Sequence, residues 1–274
     1  MSQPGRLLCP TGMDTSKKQM RVAVAGGTGV VGRLVVAALE AEGHEAVVLS
    51  RSKGVDLTTG AGLDRALDGV GAVIDVSNTI TIRRSTAVSF FERAAGHLLA
   101  AGTKAGVSHH VALSIVGCDR VGLGYYAGKV RQEELVLAGP VPGSVLRATQ
   151  FHEFAAQLLE RGGPMPFVLA PRMRSQPVAA SEVATALVEL ATGDPVGMAP
   201  DLAGPEVREM SDLVRAVLRA RGSRRPVLSP RLPGAVGRAM LGSGLLPSAP
   251  GPRGTQTFEQ WLLADTAAHA GTRR

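Results

Sequence analysis

Apolar residues fall into two alternating spacings along the first half of this chain. Val22, Ala23, Val24 and Ala25 form an unbroken apolar run too short for a helix, which reads as a strand buried on both faces. From Val30 the stretch VVGRLVVAALEAEG switches to helical spacing and stops at Gly43. Further strands are predicted over 44–50, 72–77, 111–116 and 144–148, with helices over 63–68, 86–105 and 125–138 between them. The helix over 86–105 carries an apolar stripe of Val88, Phe91, Ala95, Leu98 and Leu99. This alternation implies right-handed βαβ units and a parallel sheet with helices on both faces. The fold class expected is α/β, a doubly wound parallel sheet spanning 20–150.

Beyond Thr149 the pattern loosens. A helix over 151–161 is stopped by Gly162, Gly163 and Pro164, and 172–178 reads as a strand or extended loop. Helices follow over 181–192 and 211–221, with Ser181 and Ser211 as expected N-caps. The stretch 226–254 is rich in proline and glycine, and a last helix is predicted over 257–268. Residues 151–274 are therefore expected to form a small C-terminal substrate lobe, with some segments returning to the core. Such a lobe closes over the strand C-termini, where sheets of this kind place ligands.

Composition narrows the class. The 274 residues suit one large domain or one domain with a small appendage, and 45% apolar content is ample for a core. No apolar run reaches the ~18 residues of a membrane span. Residues 1–19 hold Pro4, Gly5, Pro10, Gly12, Lys17 and Lys18 and lack the apolar centre of a signal peptide; a flexible leader is expected, with Met13 or Met20 as alternative starts. Cys9 and Cys118 make neither a metal spacing nor a disulfide framework, so a reducing cytoplasm is the expected compartment. Net charge is +7, and 205–274 carries 11 arginines against 5 acids. The arginines are scattered and aromatics make up only 3%, so a solvated surface fits better than a nucleic-acid interface.

The densest chemical signal is MRVAVAGGTGVVG, a strand, a glycine turn and a helix start. Gly27, Gly29 and Gly32 satisfy GxGxxG, and Gly26, Gly29 and Gly32 satisfy GxxGxxG. Glycines permit the tight turn, the approach of backbone N–H groups to a pyrophosphate and close helix–strand packing. Gly26, Gly27, Thr28, Gly29, Val30, Val31 and Gly32 are the expected cradle, with the helix N-terminus facing the anion. After the second strand comes Ser50-Arg51-Ser52-Lys53, without the acid that takes ribose hydroxyls in NAD-binding versions. Guanidinium and hydroxyls suit a 2′-phosphate, which points to NADP rather than NAD as cofactor.

Tyr125 and Lys129 form YxxxK on a helix, where residues four apart share a face. A nearby ammonium favours phenolate, turning a phenol of pKa about 10 into a usable acid/base. Ser114, late in the preceding strand, is placed at the carboxyl edge of the sheet. Tyr126 is the expected packing residue of the pair.

Taken together, GGTGVVG, the basic SRS, Ser114, Tyr125 with Lys129, and LRATQFHEF at 146–154 resemble an atypical short-chain dehydrogenase/reductase, close to the NmrA-like and isoflavone-reductase-like NAD(P)-binding proteins. The resemblance covers residues 20–261 and implies an α/β fold, a Rossmann-type doubly wound parallel sheet with a small C-terminal substrate lobe. It implies cofactor contacts from Val76, Ser77 and Asn78 and from the pair Asp56-Leu57, and a substrate pocket near Gln150, Phe151, His152 and Phe154. It implies hydride transfer from NADPH to a small carbonyl, enone or quinone. Tyr125 would protonate the developing oxyanion, Lys129 would lower the phenol pKa and hold the nicotinamide ribose, and Ser114 would orient the substrate oxygen. The short, glycine-rich spacing between Ser114 and Tyr125 departs from the family pattern.

Other residues carry less. His109 and His110 are adjacent on a strand and point to opposite faces, and HEFAA is not HExxH, so no metal is expected. Arg83 and Arg84 suit either a pyrophosphate or solvent. Met240 to Leu246 reads as lobe packing. Partners expected are a small-molecule substrate, no nucleic acid and no membrane, with a monomer or a homodimer. Two alternatives stand beside the reductase: a non-catalytic NADP(H) redox sensor, and a nucleotide-sugar epimerase-like enzyme. The intact Tyr125 and Lys129 count against the sensor; a short second lobe without an obvious diphosphate cradle counts against the epimerase.

Overall fold

The computed structural model describes residues 19–271; the expected leader, with Cys9 and Met13, lies outside them save for Gln19. The strands are β1 (Arg21–Ala25), β2 (Glu45–Leu49), β3 (Ala72–Asp75), β4 (His109–Ile115), β5 (Gly143–Ala148), β6 (Val168–Leu169), β7 (Arg174–Ser175), β8 (Gly197–Met198), β9 (Arg208–Glu209) and β10 (Val227–Leu228). The helices are α1 (Val30–Ala41), α2 (Leu63–Ala66), α3 (Arg84–Ala105), α4 (Gly124–Leu137), α5 (Glu153–Arg161), α6 (Ala180–Thr192), α7 (Met210–Ala220), α8 (Gly234–Leu241) and α9 (Phe258–Gly271). A 3₁₀ turn spans Arg51–Lys53.

Six parallel strands run in the order β2-β1-β3-β4-β5-β8. The two-residue alternation of β1 sorts its side chains between layers. Val22 and Val24 join the core beneath α1 and α6, with Ile74, Val111 and Leu146. Ala23 and Ala25 join the opposite core, with Leu49, Val73, Leu98 and Leu99. In register, Val24 lies between Val48 and Ile74. The doubly wound parallel sheet is therefore as expected, and β8 adds a sixth strand too short to show a pattern. The order reverses between β1 and β3, which opens a crevice at their carboxyl ends.

Residues after 150 divide their allegiance. Helix α6 packs on the sheet beside α1, and β8 pairs with β5. Helices α5, α7, α8 and α9 build a separate core around Leu159, Met210, Leu213, Leu245 and Phe258. Within it, Met240 and Leu245 are buried as lobe packing, and Leu246 next to them is buried as well.

Two capping expectations are not met. Helix α6 starts from Ala179 and α7 from Glu209, so Ser181 and Ser211 lie inside the first turns. At α6 it is Glu182 that works: its Oε1 accepts from Thr255 N at 2.6 Å, Thr255 Oγ1 at 2.9 Å and Gln256 N at 3.1 Å, pinning the segment before α9. Helix α8 emerges from the proline- and glycine-rich stretch, where composition hid it.

The glycine turn sets the packing of α1. A Cβ on Gly32 would lie 2.1 Å from the Gly26 carbonyl oxygen and 2.6 Å from Gly27 Cα, whereas one on Gly96, inside α3, would meet nothing. Gly32→Ala is thus expected to cost about 3 kcal/mol, and Gly96→Ala to gain about 0.5–1 kcal/mol. Urea unfolding of both variants beside the parent measures the two effects.

Candidate functional site

The crevice between β1 and β3 is lined by the turn at 26–29. Gly26 takes the left-handed conformation, φ 79°, and Gly29 N donates to the Gly26 carbonyl at 2.9 Å. A Cβ at Gly26 would press within 3.0 Å of Ser77 Cα, Ser77 N and Val76 O. The turn after β1 and the chain after β3 are therefore in backbone contact. Gly29 caps α1, while Thr28, Gly29 and Val30 face outward. The first-turn N–H groups of a helix lack intrahelical acceptors, so this end of α1 is suited to an anion. Arg33 adds positive charge there and donates from Nη1 to the Thr28 carbonyl at 2.6 Å. Val31 and Gly32 are buried and serve packing.

At the end of β2, Ser50 Oγ and Ser52 Oγ lie 3.0 Å apart, with Arg51 and Lys53 exposed around them. Asp56 closes its own turn. Its Oδ1 accepts from Thr58 Oγ1 at 2.7 Å and Thr58 N at 2.8 Å; these bonds, and more weakly Arg51, hold its carboxyl below the usual range. The Leu57 carbonyl meets the His97 ring nitrogen at 2.9 Å. These residues surround the β2 end of the crevice.

Asn78, Tyr125, Lys129 and Ser114 converge from the β3 loop, α4 and β4, but with different partners from those the spacing predicts. The Tyr125 hydroxyl donates to Asn78 Oδ1 at 2.6 Å. The Lys129 ammonium donates instead to the Leu113 carbonyl and to Gln132 Oε1, and lies 4.6 Å from the centre of the Phe91 ring. The expected phenol–ammonium pair is thus not formed. Residues four apart on a helix are offset by about 40°, and here the lysine stem runs toward β4 while the phenol faces the β3 loop. Burial, reinforced by Tyr126 and Cys118, pushes the Tyr125 phenol above its ordinary pKa, opposite to the depression expected from a neighbouring ammonium. Burial also pushes Lys129 down, to about 8, against the opposing pull of Asp75, Cys118 and Glu133.

Ser114 is 2% exposed and its Oγ lies 3.7 Å from Cys118 Sγ, so its hydroxyl is covered by the turn after β4. Cys118 donates to Glu133 Oε1 at 3.4 Å; burial lifts its thiol to about 11 and makes it a neutral donor. Glu133 in turn accepts from Arg147 at 2.8 and 2.6 Å, clamping α4 to β5. Tyr126 is buried in the lobe core, the packing role the sequence assigned it.

The four residues expected near substrate do not form one wall. Gln150 Oε1 accepts from Ser175 Oγ at 2.9 Å. Phe151 is partly buried against the sheet core, and Phe154 against the lobe core. His152 is 1% exposed and packs against Phe258 and Trp261, its Nε2 3.0 Å from the Gln256 carbonyl, so it is not at a pocket mouth. His109 Nε2 pairs with Ser144 Oγ at 2.8 Å, and no group of metal-ligating side chains occurs among the described residues. Arg83 and Arg84 are exposed at the start of α3. Asp75 and Gln132, absent from the expected set, are both fully buried at this site. Their signal was an acid ending an apolar strand and an amide one turn beyond the lysine.

No family model and no curated protein matches the sequence. Solved structures do match the fold. A short-chain dehydrogenase/reductase superfamily protein from Agrobacterium tumefaciens with bound NAD is 19% identical, covering 93% of this chain and 100% of that one, TM-score 0.65. The dTDP-glucose 4,6-dehydratase DesIV from Streptomyces venezuelae, with NAD and TYD bound, is 18% identical, covering 93% and 98%, TM-score 0.70. A UDP-glucose 4-epimerase from Thermus thermophilus, in complex with NAD, is 19% identical, covering 92% and 93%, TM-score 0.63. At these identities the likeness is one of fold: a Rossmann-like parallel sheet flanked by helices. No helix among the described residues is long and apolar enough to cross a membrane.

Lys129 makes a pH-dependent contribution to stability. Folded, it releases its proton near 8; unfolded, near 10.5. Between those values the unfolded chain binds more protons, so this group makes stability rise with pH. The stability difference between the parent and Lys129→Met is expected to shift in the parent's favour from pH 8 to 10 and to stay flat from pH 6 to 7. Denaturant titrations at each pH measure it.

Proposed function

We propose that this protein binds a nicotinamide dinucleotide across the β1–β3 crevice and is an NADP-dependent oxidoreductase of the atypical short-chain dehydrogenase/reductase kind. The observation that carries the reading is the Gly26 turn. Its backbone lies against Ser77 at the point where strand order reverses, and its glycines leave no Cβ between ligand and chain. The residues fit the group: Gly26, Thr28, Gly29 and Val30 would hold the pyrophosphate, and Ser50, Arg51 and Ser52 the 2′-phosphate. Asp56 and Leu57 would flank the adenine, and Val76 to Asn78 the nicotinamide side. The dinucleotide supplies hydride to a carbonyl, enone or quinone carbon.

The protein's own part is proton chemistry. Burial keeps the Tyr125 phenol protonated at neutral pH, so it can donate to a developing oxyanion, though as a weaker acid than a free phenol. Its bond to Asn78 would be exchanged for one to substrate. Lys129 stands behind it as a cation below pH 8, and Ser114 near Cys118 completes the polar floor.

A nucleotide-sugar enzyme is the second reading. It is supported by the dehydratase and epimerase folds, whose chains this one spans almost completely. The length of the second lobe therefore gives no reason to set it aside.

Calorimetry with NADPH and NADH is expected to show tighter binding of NADPH, and Arg51→Asp to reduce that preference at least tenfold. NADPH consumption with a panel of quinones, enones and aldehydes is expected to vanish in Tyr125→Phe. Binding without turnover favours the sensor; a melting-temperature rise with UDP- or dTDP-glucose favours the nucleotide-sugar reading. Absence of heat with both dinucleotides removes the proposal.

A further inference from the structure

One buried polar group leads to another from the crevice to the lysine. Ser77 N donates to Asp75 Oδ1 at 2.9 Å, and Gln132 Nε2 donates to Asp75 Oδ2 at 2.6 Å. Gln132 Oε1 accepts from the Lys129 ammonium, which also donates to Leu113 O, the carbonyl preceding Ser114. Asp75 is 0%, Gln132 1% and Lys129 4% exposed, so none of the three exchanges these partners for water. The amide of Gln132 has one workable orientation, oxygen to the cation and nitrogen to the carboxylate. At the far end, Ser77 is the residue against which the Gly26 turn packs.

We infer that Asp75 and Gln132 are positioning residues: they form a relay that fixes the Lys129 ammonium and ties it to the backbone of the Gly26–Ser77 crevice. The inference rests on the proposed function in one respect, namely that Lys129 serves a ligand bound at that crevice. A carboxylate is the only group at position 75 that accepts both neighbouring N–H donors. An amide there would turn a donor against one of them. Gln132 is equally constrained, because it must accept and donate at once. The other groups facing Lys129 are Cys118 from the turn after β4 and Glu133 from α4; Phe91 from α3 covers it with a ring, and His110 from β4 faces Asp75.

The test uses the full chain, in which Lys129 is one of five lysines with Lys17, Lys18, Lys53 and Lys104. With ¹³C-labelled lysine, one Cε resonance is expected to titrate near pH 8, well below a lysine side chain free in water. In the unmodified protein the Ser77 amide shift is expected to inflect at that same pH. A Ser77 amide that stays flat while the lysine titrates overturns the relay, and this arm needs no variant. Gln132→Leu is expected to abolish the Ser77 inflection and to lower the lysine midpoint by about one pH unit, tenfold in proton affinity. Asp75→Asn should lower it as well, without touching the lysine. Variants that melt cooperatively yet leave the midpoint unmoved also overturn it. Calorimetry with NADPH and NADH on the same samples separates the two claims. No binding with the inflections intact removes the cofactor reading and leaves the relay standing. Binding with a flat Ser77 removes the relay alone.

Discussion

Backbone contact between the turn after β1 and the chain after β3 is the constraint on which the rest of this structure depends. A Cβ on Gly26 would lie 3.0 Å from the Ser77 backbone, and one on Gly32 would lie 2.1 Å from the Gly26 carbonyl oxygen. Any side chain at either position would push helix and strand apart. With both positions glycine, α1 lies flat on the sheet, its first turn opens onto the crevice, and α6 can close the same face beside it. The crevice is thus a consequence of packing before it is a binding site.

The second organising feature is polar. Helix α4 presents Lys129, Gln132 and Glu133 to the interior, each nearly inaccessible to water. Removing a charge from water costs several kcal/mol unless its partners are well placed. Here the cost is offset in two separate clusters. Glu133 takes the Arg147 guanidinium through two bonds, and Lys129 takes a carbonyl, an amide and an aromatic face. A purely apolar helix face would pack as well, so these groups add orientation rather than bulk stability. They also explain why Lys129 turns from Tyr125: a buried ammonium needs several acceptors at once, and a lone phenol supplies one.

The C-terminal half is two structures interleaved. Helix α6 and β8 complete the sheet, while α5, α7, α8 and α9 make their own core over its carboxyl edge. Glu182, on α6, binds three donors at 255–256 and so joins the two. This interleaving is why residues 150–154, adjacent in sequence, end up in different environments. Phe151 belongs to one core and Phe154 to the other, and His152 is locked among aromatic rings.

From the amino-acid order alone came the alternating elements, the parallel sheet, the glycine turn and the basic end of β2. Each is a local pattern, set by residue spacing along one strand, turn or helix, and local patterns survive in one dimension. Helix α8 and the two-residue strands β6, β8, β9 and β10 escaped because they are too short or too glycine-rich to differ from loop. What tertiary structure alone decided is which polar groups meet. The i,i+4 spacing put Tyr125 and Lys129 on neighbouring faces, but Asn78, Gln132, Asp75 and Leu113 determined where each side chain points. Asp75 and Gln132 are 57 residues apart in the chain and share a hydrogen bond. Such a pairing is chosen by desolvation in three dimensions, where every buried donor must find an acceptor, and a linear pattern carries no record of it.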